Sequence, residues 1–322
     1  MSLIIIDRFG NLLFLLVVFF VAPHTPIAST KRTRGSTKVA VQSPLKHQQL
    51  NKKPVIPAPQ GALFSPALSA GDDSVSTGES TETPDEDDHE EYYQTGDDDF
   101  NPYQFIGGLP PYQTAAIKGK ICLPQSLKEF PITLTLDLDE TLVHCSVEPI
   151  ANPDIIFPVS FNGASYQVYV RKRPYLDHFL NTVAKSFEVV LFTASQRVYA
   201  DKLLNLIDPE KKLIQHRLFR EACLLVQGNY IKDLNVLGRD LKKTVLVDNS
   251  PHAYGFQLDN GIPIESWFDD ETDTELLKLA EFLKKIVDIG DVRPIVREHF
   301  KSYTLVDKAK QGLPIKMRAP PF

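Results

Sequence analysis

Pro131-Ile132-Thr133-Leu134-Thr135-Leu136-Asp137-Leu138-Asp139-Glu140-Thr141-Leu142-Val143-His144 is the stretch whose reading decides the fold. It opens as an apolar, β-branched run, which predicts a buried strand. Two carboxylates, Asp137 and Asp139, follow two residues apart where that strand should end. Open α/β sheets collect their ligands at the carboxyl ends of strands, so the position tells as much as the residue types. Close carboxylates repel and hold their pKa values apart unless a cation sits between them. Two functional readings follow: an acid/base pair, or one carboxylate that attacks while helping to hold a hard metal ion. The bland alternative is a pair of solvated turn aspartates.

Working outward, Phe157–Phe161 and Tyr166–Val170 are strand-like, and Asn162-Gly163 between them is a hairpin signal. Pro174 suits the first position of a helix, with Leu176, Phe179, Leu180 and Val183 at helical spacing. Glu188–Phe192 is the next buried strand, closed by Thr193-Ala194-Ser195. A helix follows near Val198–Leu206. Lys243–Val247 is a third strand and ends in Asp248-Asn249. Glu275–Val287 has the 3.6-residue period of an amphipathic helix. Strand, helix, strand, helix, strand implies an α/β fold with a doubly wound parallel sheet, carrying a small β-hairpin insertion after its first strand.

The chain has 322 residues and a net charge of −6. Residues 100–322 carry 27 Lys/Arg and 27 Asp/Glu, whereas 24–71 hold seven basic residues and no acids, and 72–99 hold thirteen acids and no Lys or Arg. Such segregated blocks in Pro/Ser/Thr-rich sequence cannot bury a core. The expected organisation is therefore an apolar segment over 1–23, a disordered charged tether over 24–99, a folded domain over 100–300 and a loose tail over 301–322. Leu12–Ala22 is an apolar run of eleven residues, too short for a comfortable span and of signal-core length. A signal, an anchor and a misassigned gene start all fit it. Lys31-Arg32-Thr33-Arg34 is a weak nuclear-import candidate, and Ser43-Pro44, Ser65-Pro66 and Thr83-Pro84 are candidate proline-directed phosphorylation sites. Phe100–Pro111 restores aromatic content and should pack as the leading edge of the domain. Cys122, Cys145 and Cys223 are too few for a disulfide framework or a structural zinc site. A neutral catalytic part argues against direct nucleic-acid binding, and no phosphate-cradling glycine loop supports a kinase or dehydrogenase.

Asp137-Leu138-Asp139-Glu140-Thr141-Leu142-Val143-His144 resembles the nucleophile motif of the small C-terminal-domain phosphatases, a family of the haloacid dehalogenase superfamily. The resemblance continues through Leu191–Ser195, Arg217–Glu221, Gly228–Leu234 and Val247–Pro251, so it covers roughly residues 116–300. Phe100–Tyr103 and Phe64-Ser65-Pro66 are similar to the CTD small phosphatase-like protein 2 branch. It implies Mg²⁺-dependent hydrolysis of phosphoserine and phosphothreonine on flexible protein tails such as that of RNA polymerase II. A monomer in the nucleus is expected, or at the nuclear envelope or ER membrane if residues 3–22 act as an anchor.

On that resemblance Asp137 is the nucleophile, forming an aspartyl-phosphate, and Asp139 the acid and then the base. Mg²⁺ would be bound by Asp137, Asp248 and Asn249, directly or through water, and by the main-chain carbonyl of Asp139, an all-oxygen set suited to a hard cation. Thr193 and Lys232 would hold the phosphoryl group. Read alone, Thr193 is an ordinary helix cap and Lys232 a solvated lysine. Arg220 and Tyr199 are lesser candidates for substrate contact, and Trp267-Phe268 reads as core more than as peptide path. The rival functions are a small-molecule phosphohydrolase on the same fold and a catalytically dead scaffold.

Overall fold

The computed structural model describes residues 100–112, 122–125 and 130–315, the pair Leu63-Phe64, and the backbone of residues 5–6 and 12–13. Those four backbone positions apart, the apolar segment 1–23, nearly all of the expected tether and residues 316–322 thus lie outside the described residues. Within the first of these, Ile5–Ile6 pairs antiparallel with Leu12–Leu13. Among the described residues no helix is long and apolar enough to cross a membrane.

Helix α1 (Pro102–Gly107) begins the folded part. Asn101 caps it by accepting from the N–H groups of Tyr103 and Gln104, and Pro102 occupies the first turn, where a missing N–H costs nothing. Strand β1 (Ile132–Leu136) is buried at every position. After it come β2 (Val143–Ser146), β3 (Ile155–Phe161) and β4 (Ala164–Lys172), which form a three-stranded antiparallel sheet in the order β2-β4-β3. The expected hairpin is therefore two strands of three. Its turn is Asn162-Gly163, both at positive φ (49° and 79°), as a two-residue type I′ turn requires. The third strand, Val143–Ser146, begins within the Asp137–His144 motif and is short, so no separate pattern marks it.

Helix α2 (Leu176–Val183) starts two residues after Pro174, because Tyr175 takes a left-handed conformation (φ 65°) and breaks the run. Strand β5 (Phe187–Phe192), helix α3 (Arg197–Ile207) and strand β6 (His216–Leu218) follow. A tight hairpin, β7 (Leu224–Val226) and β8 (Asn229–Ile231), then leads to strand β9 (Thr244–Asp248) and strand β10 (Gly261–Pro263). The main sheet is parallel, in the order β10-β9-β1-β5-β6. With β1 central and connections running outward both ways, it is doubly wound. The α-helical crossovers pack on one face, where Leu134, Leu136, Val189 and Val247 join Phe179, Leu203 and Leu279. The other face, with Val190, Phe192 and Leu246, is covered by 3₁₀ turns at Leu234–Leu237 and Pro251–Asn260.

Helices α4 (Glu275–Ile286), α5 (Arg293–Phe300) and α6 (Ser302–Lys310) complete the chain. The last corrects the expectation of a loose tail from 301. Its Val306, among otherwise Lys-rich residues, packs on Tyr103 and Ile106 of α1. A second correction concerns the tether. Leu63 and Phe64 are buried in the main core, and burying such side chains is worth about 1.5–3 kcal/mol each.

Candidate active site

The site follows from register. Leu136 of β1 is paired with Leu191 of β5 and with Val247 of β9. Three strands therefore end level, and the next residues, Asp137, Phe192-Thr193 and Asp248, stand side by side at the carboxyl edge. The Asp137 N–H still donates to the carbonyl of Val247 at 3.0 Å, which extends the ladder to the carboxylate itself. The chain then turns sharply, with Glu140 at φ 55°. The Leu142 and Val143 N–H groups return to the carbonyl of Leu138, and Arg173, fully buried, donates to the carbonyl of Thr141 at 3.1 Å while gripping Asp273 with both arms of its guanidinium.

Lys232 arrives from the β7–β8 hairpin, whose Gln227-Gly228 turn has both residues at positive φ. Its Nζ lies between two carboxylates, donating to Oδ1 of Asp137 and, at 2.5 Å, to Oδ2 of Asp248. All three groups are almost wholly buried. Burial pushes the Asp137 carboxyl up to about 7 against the pull of Lys232, with Asp248 adding to the rise. The Asp248 carboxyl is raised by burial too, although Lys232 and the Ser250 N–H oppose this. Burial would weaken the Lys232 ammonium, but Asp137 and Asp248 outweigh it and hold its pKa above the ordinary lysine value. The Thr141 hydroxyl lies 3.1 Å from Oδ2 of Asp137 and 3.3 Å from Oδ1 of Asn249, whose amide nitrogen donates to Ser266.

Asp139 points the other way. Its Oδ2 accepts from the hydroxyl of Ser195 at 2.6 Å and, weakly, from that of Thr193 at 3.4 Å; its Oδ1 accepts from the hydroxyl of Tyr199 at 2.7 Å. Tyr199 also sits 2.8 Å from Sγ of Cys145. Its single proton goes to the carboxylate, so the thiol is the donor in the second contact. Burial, and next the charge of Asp137, raise the Asp139 carboxyl pKa against these hydroxyls.

The structure thus brings together Asp137, Asp139, Thr193, Lys232, Asp248 and Asn249. It does not bring in the rest. Arg220 donates to the main-chain carbonyls of Ala194 and Phe64. Trp267 is buried and donates to the Asp270 carbonyl, and Phe268 is half exposed beside His144. Thr193 is not a helix cap, since α3 begins only at Arg197 after Gln196. Ser195, which the sequence marks only as part of a motif, and Tyr199, a lesser candidate for substrate contact, both donate to Asp139. Their only signal was that both follow a strand end, within a turn of helix.

Among the described residues no group of three His, Cys, Asp or Glu side chains is placed to hold a metal ion. What is present is two carboxylates, Asp137 and Asp248, with the amide oxygen of Asn249. Asp137 and Asp248 share one ammonium, with Asp139 buried close by, and an all-oxygen set short of positive charge is what a hard divalent cation complements.

This is a phosphatase arrangement on an α/β fold, and the comparisons place it. Residues 132–293 match the NLI interacting factor-like phosphatase family. CTD small phosphatase-like protein 3 of Caenorhabditis elegans is 48% identical over 233 residues, 69% of this chain and 81% of its own. CTD small phosphatase-like protein 2 of Dictyostelium discoideum is 54% identical over 212 residues, 66% of this chain but only 37% of that protein's length. The mouse carboxy-terminal domain RNA polymerase II polypeptide A small phosphatase 2 is 49% identical over 183 residues, 56% of this chain and 67% of its own. The chain belongs to the NLI interacting factor-like phosphatase family, a family of phosphoprotein phosphatases.

Proposed function

We propose that this protein is a Mg²⁺-dependent phosphoserine/phosphothreonine protein phosphatase that works through an aspartyl-phosphate on Asp137. The single observation that carries the reading is the division of labour between neighbouring carboxylates: Asp137 beside Lys232, Asp139 among hydroxyls. A phosphomonoester needs an in-line nucleophile, neutralised equatorial oxygens and a proton for the departing oxygen. Asp137, steered by Lys232 and Thr141, attacks phosphorus. Asp139, whose raised pKa favours the protonated acid, protonates the serine or threonine oxygen as the P–O bond breaks. It then takes a proton from the water that opens the acyl phosphate. Lys232 balances the phosphoryl charge, and Thr193, whose hydroxyl stands at the strand end 3.4 Å from Oδ2 of Asp139, contributes a donor to a phosphoryl oxygen.

Asp137, Asp248 and Asn249 would hold Mg²⁺, with the main-chain carbonyl of Asp139, whose carboxylate is engaged by hydroxyls. When bound, the cation supplies the charge that three buried carboxylates lack. The substrate we infer is a flexible phosphoprotein tail, as in the names of the RNA polymerase II relatives, because only a three-stranded sheet is inserted between Asp139 and α2. A nuclear location would follow from such a substrate.

A phosphopeptide panel with Mg²⁺ and with EDTA tests this. Efficient turnover of phospho-Ser-Pro peptides, abolished by EDTA and restored by Mg²⁺, is expected. A preference for sugar phosphates would overturn it in favour of a small-molecule hydrolase.

A further inference from the structure

Leu63 and Phe64 lie in sequence far ahead of the family domain at 132–293, yet both are buried, at 0% and 4% exposure. Their contacts converge on the donors that surround Asp139. The carbonyl of Leu63 accepts from the N–H of Gln196 at 3.0 Å, and the carbonyl of Phe64 accepts from Nη2 of Arg220 at 2.6 Å. Arg220 in turn donates from Nε to the carbonyl of Ala194 at 2.5 Å and from its main-chain N–H to that of Ser195 at 3.1 Å. The loop that presents the Thr193 and Ser195 hydroxyls is thereby held at Ala194, Ser195 and Gln196. The ring of Phe64 meets Tyr199 edge-on, with centroids 4.7 Å apart at 73°, and Phe157 lies nearly parallel to Tyr199 at 6.3 Å. Tyr199 thus packs against both rings, with its hydroxyl on Asp139.

We propose that Leu63-Phe64 is an anchor in cis whose residues are positioning residues for proton transfer by Asp139. The proposal rests on the reading of Asp139 as the general acid. Leu63 and Phe64 act through Tyr199 and the Thr193–Gln196 loop, so every hydroxyl donated to that carboxylate comes from an element the anchor touches. A void at Phe64 lets the Tyr199 ring tilt, and a hydrogen bond weakens steeply with misalignment.

The damage should depend on the leaving group. A serine alkoxide cannot depart without a proton, whereas p-nitrophenolate can, so a misplaced acid slows the first and spares the second. The experiment is kcat/KM of the full chain and its Phe64→Ala, Phe64→Leu and Leu63→Ala variants on one phosphoserine peptide and on p-nitrophenyl phosphate, with melting temperature recorded for each. Phe64→Ala should lose about tenfold on the peptide and less than about twofold on the aryl phosphate, a fraction of the total worth of a general acid. Phe64→Leu should recover most of the loss. If Phe64→Ala does not fold, the same selective loss is required of Leu63→Ala. Equal losses on both substrates in the folded variants, or no loss, overturn the proposal. Asp139→Asn separates the two readings. If it shows the selective loss and the anchor variants do not, only the anchor fails; if it spares the peptide, the role of Asp139 fails.

Discussion

Asp137 and Asp139 sit on one loop two positions apart, both almost wholly buried, yet their surroundings differ in kind. Asp137 faces a shared ammonium that also serves Asp248. Asp139 faces three neutral hydroxyls. The Lys232 ammonium favours the ionised, attacking form of Asp137 against burial, while burial and the charge of Asp137 favour the protonated form of Asp139 against the hydroxyls that donate to it. The same residue type is thus assigned two tasks by its neighbours, an ammonium for one and hydroxyls for the other.

The comparison can be broken from either side. The largest effect should come from Asp137→Asn, which removes the nucleophile: kcat on phosphopeptides should fall by about 10⁴-fold or more, with the melting temperature unchanged or higher. Next, Lys232→Met leaves Asp137, Asp139 and Asp248 buried with no ammonium. It should cost about 3–5 kcal/mol in urea unfolding, part of it regained on adding Mg²⁺ as a ligand of the folded state. Tyr199→Phe removes one hydroxyl from Asp139 and leaves Asp137 untouched. Peptide turnover should drop about tenfold, with the loss confined to poor leaving groups. The smallest effect is a pH slope. Burial raises the Asp137 carboxyl from 3.8 to about 7, so between those values the folded chain keeps a proton that the unfolded chain has lost. Without added metal, stability should be full at low pH and fall as pH climbs from about 4 to about 7. In Asp137→Asn that slope should flatten.

How much of this could be read beforehand depended on whether a feature leaves a local pattern. Strand β1 is a continuous buried run and announces itself. So do β9 and α4, through apolar content and helical period. Strands β6 and β10, three residues each with His, Arg, Gly and Pro among them, are edge strands made by pairing rather than propensity. Helix α6 looks like a polar tail because its buried side is narrow and its partner, α1, lies at the far end of the folded chain. Asp137 and Asp248 were legible because each closes an identifiable strand, whereas Lys232, alone a solvated lysine, was legible only through the ordered set of motifs that the resemblance supplies. The hydroxyls around Asp139 were not, since Ser195 reads only as the close of a strand and Tyr199 as a lesser candidate for substrate contact. Leu63-Phe64 carries no period at all and is set only by tertiary contact.

The central claim, that Asp137 accepts the phosphoryl group, is tested most directly by acid quench of the enzyme during turnover of a ³²P-labelled phosphoserine peptide, followed by mapping of the labelled residue. The label should be hydroxylamine-sensitive, lie on Asp137 and be lost in Asp137→Asn. Steady turnover with no protein-bound label, or label on another side chain, would contradict the account.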